Sequence, residues 1–199
     1  MSLFPFNTNW TRRAQTDSDG VFNTLGAGVV YTPGSPALDD VDAYFTGDMA
    51  VGAYALLATA PDVGARNVTV TQTAVDAEDT NGTIVVVGTA IDGSAITETL
   101  TPNAGATVAG AVAFASITSI TGVGWVTGGG ADTIEIGFGA LIGLPDCLTD
   151  TAQVLAASLN NVRQATFPTV TVSASDVSLN TVDLDSALNG TPVKVYYVV

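Results

Sequence analysis

The side chains of this chain that are suited to acid–base chemistry are carboxylates, because the sequence contains no histidine. Asp183 and Asp185 are two residues apart, so a β-strand would place both on one face. Two carboxylates flanking a glycosidic bond are what sugar hydrolysis requires. Such a site also needs aromatic platforms to hold the sugar, and the chain has only two tryptophans. The pair is better explained as a solvated strand face, and the sequence predicts no catalytic residue and no enzyme activity.

Nucleophilic catalysis also lacks partners in this chain. Without histidine, the Ser-His-Asp and Cys-His pairs and most zinc sites are excluded. A serine–lysine pair would have to use Lys194, which falls in the terminal strand and is predicted to lie on its solvent face. Cys147 is the single cysteine, so no intrachain disulfide is possible, and we predict it to be a small buried hydrophobic residue.

Two loops have some features of ligand-binding loops. The loop at 76–81 has three acidic residues and an asparagine, which supply the oxygen ligands that calcium prefers. Its spacing does not match the helix–loop–helix calcium pattern, and Asn81-Gly82 is explained by a tight turn. The three glycines at 128–130 are not followed by the Lys-Ser or Lys-Thr of a phosphate-binding loop. We therefore predict no metal site and no cofactor.

The charge balance limits the possible partners. The chain has 19 acidic and 5 basic residues and a formal net charge of −14, so it would repel a phosphate backbone and is not expected to bind nucleic acid. No stretch approaches the roughly 18 apolar residues of a membrane span, and residues 1–6 do not resemble a secretory signal. We expect a soluble protein made in the cytoplasm.

The first twenty residues differ from the rest of the chain, and we interpret 1–20 as an extended N-terminal arm. Aromatic side chains in such a segment need an apolar surface, either on the chain's own domain or on a neighbouring chain. Two of the chain's five basic residues also lie here, which favours a partner contact. The candidate interface residues are Phe4, Phe6, Trp10, Arg12 and Arg13.

Residues 21–199 are predicted to form a single β-rich domain. The stretch from Asn67 alternates valine with threonine at the two-residue period of a strand. Turn signals at Asn81-Gly82, Asp92-Gly93 and 128–130 divide 66–145 into strands, which predicts a central meander of hairpins. The last of these hairpins would pair 123–127 with 133–138, with Trp125 as a core residue.

Other segments are ambiguous or lie near the C-terminus. Residues 35–45 fit either a helix, with Leu38, Val41 and Phe45 at helical spacing, or a solvated loop. Residues 149–161 fit a helix or a strand equally well. Further strands are predicted at 28–31, 169–173, 180–184 and 193–199. The last would be an adhesive edge, so we expect another strand or a neighbouring subunit to cover it.

The central region resembles a β module that recurs in virion proteins of tailed bacteriophages. The resemblance covers about eighty residues. It is carried by RNVTVT at 66–71, GTIVVVGT at 82–89, DG at 92–93, ITETL at 96–100, the stretch 114–120, IEIG at 134–137 and GLP at 143–145. The ending, LNGT at 188–191 followed by VYY at 195–197, is similar to the closing strand of some capsid decoration proteins.

This resemblance implies a small all-β protein that binds the outside of a phage head, often as a homotrimer, and cements neighbouring capsomers. The expected partners are the major capsid protein and further copies of the chain, and the expected location is the outer capsid surface of the virion. The expected fold is an antiparallel β-sandwich or barrel-like domain with an extended N-terminal arm. The alternative is a tail or head-fibre protein that binds host surface glycans, for which Trp125 beside 128–130 is the sole groove candidate.

Overall fold

The computed structural model shows an all-β protein, as the sequence predicts. The structure describes residues 14–16, 22–24, 28–73, 82–103, 105–126 and 132–199. Every strand pairing in these ranges is antiparallel, and they contain no α-helix.

The described ranges contain sixteen strands and two 3-10 turns, at Thr151–Gln153 and Val177–Leu179. The strands are β1 (Ala14–Thr16), β2 (Phe22–Thr24), β3 (Gly28–Gly34), β4 (Asp40–Asp48), β5 (Gly52–Ala53), β6 (Arg66–Thr73), β7 (Thr83–Thr89), β8 (Ala95–Leu100), β9 (Thr107–Phe114), β10 (Ser116–Val123), β11 (Thr133–Gly143), β12 (Val154–Leu159), β13 (Val162–Arg163), β14 (Thr169–Thr171), β15 (Thr181–Asp183) and β16 (Val193–Val198).

Two sheets share the main hydrophobic core. One sheet has the order β14-β15-β11-β6-β9, with β4 also paired to β11, and the other has the order β5-β10-β7-β8. From β6 to β11 the chain passes back and forth between the two sheets. Side chains from both sheets, among them Tyr44, Val70, Ile84, Ile120 and Ile136, form one fully buried cluster. The arrangement is a β-sandwich in which alternate residues of facing strands supply the core.

The predicted meander is wrong in two of its pairings. The hairpin around Asp92-Gly93 is present, joining β7 to β8, with Gly93 at a φ of +84°. However, β6 pairs with β9 and β11 rather than with β7, and β10 pairs with β5 and β7 rather than with β11. A strand can bury its apolar face equally well by pairing with its neighbour in sequence or by joining the opposite sheet of the sandwich. Alternation therefore identified the strands but not their partners. Asn81 and 128–130 lie outside the described residues.

The two ambiguous segments are both strands. Residues 40–48 form β4, which pairs with β11, and Tyr44 in it is fully buried. From Asp40 onward the segment is therefore neither the helix nor the solvated loop that the sequence allowed for 35–45. Residues 149–161 contain a 3-10 turn capped by Asp150, which accepts a hydrogen bond from Ala152 N at 2.9 Å, followed by β12. In 149–161 long-range pairing selected the strand over the helix, and in 40–48 it produced a strand that the local pattern had not suggested.

A third sheet, with the order β13-β12-β16-β3, covers a second core. The terminal strand β16 pairs with β12 on one side and β3 on the other, which confirms that another strand covers it. The inner face of the sheet packs on β11 and β15, where Ile142, Val182, Val195 and Tyr197 are buried. We call β13-β12-β16-β3 the C-terminal sheet.

The predicted arm contains one described strand. Residues 14–16 of the arm form β1, which pairs with β2 in a separate two-stranded sheet. The five candidate interface residues, at positions 4, 6, 10, 12 and 13, lie outside the described residues.

Asn67 links two β-bulges of the large sheet. The pairing register of β6 shifts against β9 on one side and against β11 on the other. The Asn67 side chain donates to Gly110 O at 3.0 Å and accepts from Leu141 N at 3.1 Å. A Cβ at Gly139 would lie 2.7 Å from Asn67 Oδ1, so this position has room only for glycine. One buried amide thus satisfies backbone groups that both bulges leave unpaired.

Glu98 joins the edge of one sheet to the edge of the other. It lies on β8, and its Oε1 accepts from the backbone N–H groups of Ala111, at 2.7 Å, and Val112, at 3.3 Å, both in the β9 bulge. Its Oε2 is buried without a hydrogen-bond partner in the described part of the chain. Burial raises the pKa of Glu98, and the two backbone N–H donors partly oppose that shift.

We therefore predict that Glu98 makes stability pH-dependent. Because its pKa is higher in the folded than in the unfolded chain, the folded state binds the proton more tightly, and stability is lost as pH rises from the ordinary glutamate pKa through the raised one. Urea unfolding of wild type and Glu98→Gln at pH 4 to 7 should show a stability difference that moves against the wild type as pH rises. A difference that stays constant over this range would contradict the prediction.

Candidate functional site

The outer face of the C-terminal sheet brings together residues from four strands. Residues directly opposite each other in neighbouring strands point to the same face. Register pairs Arg163 with Ser158 and Ser158 with Lys194, which makes one cross-strand row. The next row pairs Ala156 with Tyr196 and Tyr196 with Val30. We call these two rows, with the adjoining Leu155 and Phe167, the C-terminal face.

The C-terminal face contains an open groove of about 450 Å³. Leu155 lies in a bulge of β12, where the register to β16 shifts, and it borders the groove as a 53% exposed side chain. A smaller pocket of about 120 Å³ continues past Arg163 to Phe167, which is 52% exposed. The groove lining consists of Leu155, Ala156, Ser158, Asn161, Arg163 and Tyr196.

The two surface cations of the described residues both lie on this face. The described chain has three cationic side chains, and one of them, Arg66, is fully buried. The other two are Arg163, which is exposed, and Lys194, whose Nζ donates to Asn161 Oδ1 at 2.8 Å. Neither has a carboxylate within ion-pair distance in the described ranges, where the one ion pair joins Arg66 to Asp62. The face is therefore basic in a strongly acidic protein.

Ser158 adds an unused hydrogen-bonding group to the same row. Its side chain is 4% exposed, and its Oγ has no hydrogen-bond partner among the described residues. A buried hydroxyl without a partner costs about 1–3 kcal/mol. Because Ser158 lies in register between Arg163 and Lys194, a bound acceptor such as a carboxylate would be offered one hydroxyl and two cations.

The structure does not place the carboxylates considered from sequence as a pair on one strand. Asp183 is the last residue of β15 and is partly buried, and burial raises its pKa. Asp185 is exposed and lies beyond the end of that strand. The acidic loop at 76–81 lies outside the described residues. Within the described ranges, no three acidic or cysteine side chains are grouped as metal ligands would be.

Three further sequence predictions are resolved by burial. Trp125 is 6% exposed and belongs to the main core, as predicted. Cys147 is exposed rather than buried, so that prediction is wrong. The next residue, Leu148, is fully buried and occupies the core position, while Cys147 itself faces solvent. Lys194 lies on the outer face of its strand, as predicted.

Sequence reasoning did not find the C-terminal face as a unit. The period of two in 193–198 does place Lys194 and Tyr196 on one side of a strand. Arg163 joins them through its neighbour Ser158, and both that link to Lys194 and the pairing of Val30 with Tyr196 connect residues more than thirty positions apart. The bulge at Leu155 also has no signature in the sequence.

No family model, curated protein or solved structure matches the chain. Among the described residues, no helix has the length and apolar character needed to span a membrane.

Proposed function

We propose that this chain is a non-enzymatic structural protein of a tailed-phage virion, which decorates the outer head surface and strengthens contacts between capsomers. The observation that carries the proposal is the C-terminal face. It is an exposed apolar and basic surface on a rigid β scaffold, and such surfaces serve protein–protein association. The resemblance of 66–145 to a phage virion module supports the same function.

The mechanism is stabilisation by association. A protein that binds the assembled shell but not its dissociated subunits stabilises the shell by mass action. The N-terminal arm is the proposed contact with the major capsid protein, since Phe4, Phe6 and Trp10 are the residue types that anchor interfaces. The C-terminal face remains for contacts between decoration subunits. Both contacts take place on the outer surface of the virion.

The test is co-sedimentation with undecorated phage heads. Purified protein mixed with such heads should sediment with them and reach saturation at a fixed number of copies per particle. Heads that already carry their own decoration protein are the matched control and should take up less. Protein that remains in the supernatant at every concentration would contradict the proposal.

The groove favours a second candidate function, which is glycan binding by a tail or head fibre. Tyr196 offers an aromatic platform, and Asn161 and Arg163 offer hydrogen bonds at the groove wall. A glycan array probed with wild type and Tyr196→Ala would test this candidate. A signal that Tyr196→Ala removes would favour glycan binding over capsid decoration.

A further inference from the structure

A second surface of the chain has properties opposite to those of the C-terminal face. Residues 38–42 contain two exposed apolar side chains and three acidic ones, and Leu38 is 55% and Val41 37% exposed. The other three residues, Asp39, Asp40 and Asp42, are also exposed. A side-chain hydrogen bond with Asp42 raises the pKa of Asp40, with burial adding to it, so these carboxylates crowd one another. We call residues 38–42 the acidic segment.

The C-terminal face matches the acidic segment in both charge and apolar content. Its two cations lack acidic partners within the described chain. Its apolar side chains Val30, Leu155 and Phe167 are each more than half exposed. A sugar would leave most of that apolar surface in water, whereas a protein segment with leucine and valine would bury it.

The row through Ser158 specifies which group would bind there. The Ser158 hydroxyl lacks a hydrogen-bond partner, and it lies in register between Arg163 and Lys194. A carboxylate accepts hydrogen bonds from both kinds of donor and neutralises the cations. The acidic segment supplies three carboxylates and two exposed apolar residues within five positions, so one short stretch of chain offers both kinds of group that the face would bind.

We infer that the C-terminal face of one copy binds the acidic segment of a second copy of this chain, with carboxylates of that segment against Arg163 and Lys194. The two surfaces differ, so the contact is heterologous and repeats from copy to copy, closing into a ring or growing into a filament. This inference rests on the proposed function in that it names the partner of the C-terminal face. Capsid binding itself is assigned to the arm.

The experiment is light scattering on the full-length protein over a range of concentrations. Wild type should associate, and rising salt should weaken the association because the charges lie near the surface. Arg163→Glu with Lys194→Glu should weaken it about a hundredfold, because like charges that meet in an interface repel strongly. Asp39→Lys with Asp42→Lys should have a similar effect.

A charge swap provides the decisive variant. Combining all four substitutions in one chain restores the wild-type net charge and reverses both surfaces, so association should return. Asp48→Lys with Asp185→Lys changes two other exposed aspartates by the same charge and should leave association unchanged. Circular dichroism and thermal melting of each variant establish that it is folded, so that a loss of association is a loss of contact.

Several results would overturn the inference. The wild type could be monomeric at every concentration, or association could survive Arg163→Glu with Lys194→Glu. The variant that combines all four substitutions could also fail to regain association. Monomeric protein that binds acidic glycans through the face would also overturn it. Head binding is measured independently, by co-sedimentation. If the variant with all four substitutions does not associate but still binds heads, only the contact between copies is rejected, and the proposed function stands.

Discussion

Replacing Arg66 by alanine should lower the free energy of unfolding by about 3–5 kcal/mol, because it removes a fully buried side chain together with its ion pair and its hydrogen bonds to two backbone carbonyls. Arg66 is fully buried, and its Nη1 lies 2.9 Å from Asp62 Oδ1. Its Nε donates to Gly139 O at 2.8 Å, and Nη1 also donates to Ala37 O at 3.0 Å. The guanidinium carbon lies 4.4 Å from the centre of the Phe138 ring. One side chain therefore connects β6, the β11 bulge and the segment before β4.

Urea unfolding monitored by circular dichroism measures this effect, and Arg163→Ala is the matched control. Arg163 is exposed, so its removal should change stability by no more than about 0.5 kcal/mol. Asp62→Ala should also be destabilising, since it leaves the buried Arg66 without its counter-charge. A loss below about 1 kcal/mol for Arg66→Ala would show that the pair contributes little to the fold.

Deleting residues 1–13 should abolish head binding and leave the β domain folded. The deletion removes three aromatic residues and two arginines, and residues of these types contribute 2 kcal/mol or more each when they anchor an interface. Co-sedimentation with undecorated heads measures the binding, and thermal melting measures the fold. The first described strand begins at Ala14, so the deletion ends before it.

Point substitutions separate the two kinds of anchor in the arm. Phe4→Ala, Phe6→Ala and Trp10→Ala together should weaken head binding as strongly as the deletion. Arg12→Ala with Arg13→Ala should weaken it less and should reduce its dependence on salt. Head binding by the truncated protein equal to that of wild type would rule out the arm as the capsid contact.

The strands could be predicted from sequence far better than their partners. The alternation from Asn67 predicted β6, and Asp92-Gly93 predicted the one hairpin that the structure confirms. Both signals are local, because they depend on side-chain period and turn conformation. The pairing of β6 with β11 joins residues at least sixty positions apart, and no local pattern encodes it.

The buried hydrogen bonds and the ion pair could not be predicted from the sequence either. Asn67 and Glu98 look like ordinary strand residues in the sequence, and their roles depend on bulges that shift the register of β9 and β11. Arg66 was recognised only as the start of a strand. A buried arginine is rare, so it becomes apparent only when the structure shows what surrounds it.

The same limit applies to the C-terminal face. Its cations come from β13 and β16, and its apolar residues come from β3, β12 and the segment after β13, which the fold brings together from distant parts of the chain. The sequence predicted that β16 must be covered, and the covering strands β12 and β3 complete the face. The C-terminal face therefore exists because β12 and β3 cover the edges of the terminal strand. Its charge and apolar character depend on which side chains of these strands lie on the outer face.

The most direct test of cementing is the thermal stability of phage heads with and without this protein. Undecorated heads that contain packed DNA should release it at a higher temperature once they are saturated with wild-type protein. The increase should depend on protein concentration, as mass action requires, and should be absent with the 1–13 deletion. A release temperature that does not change when the protein is bound at saturation would contradict the claim that it strengthens the shell.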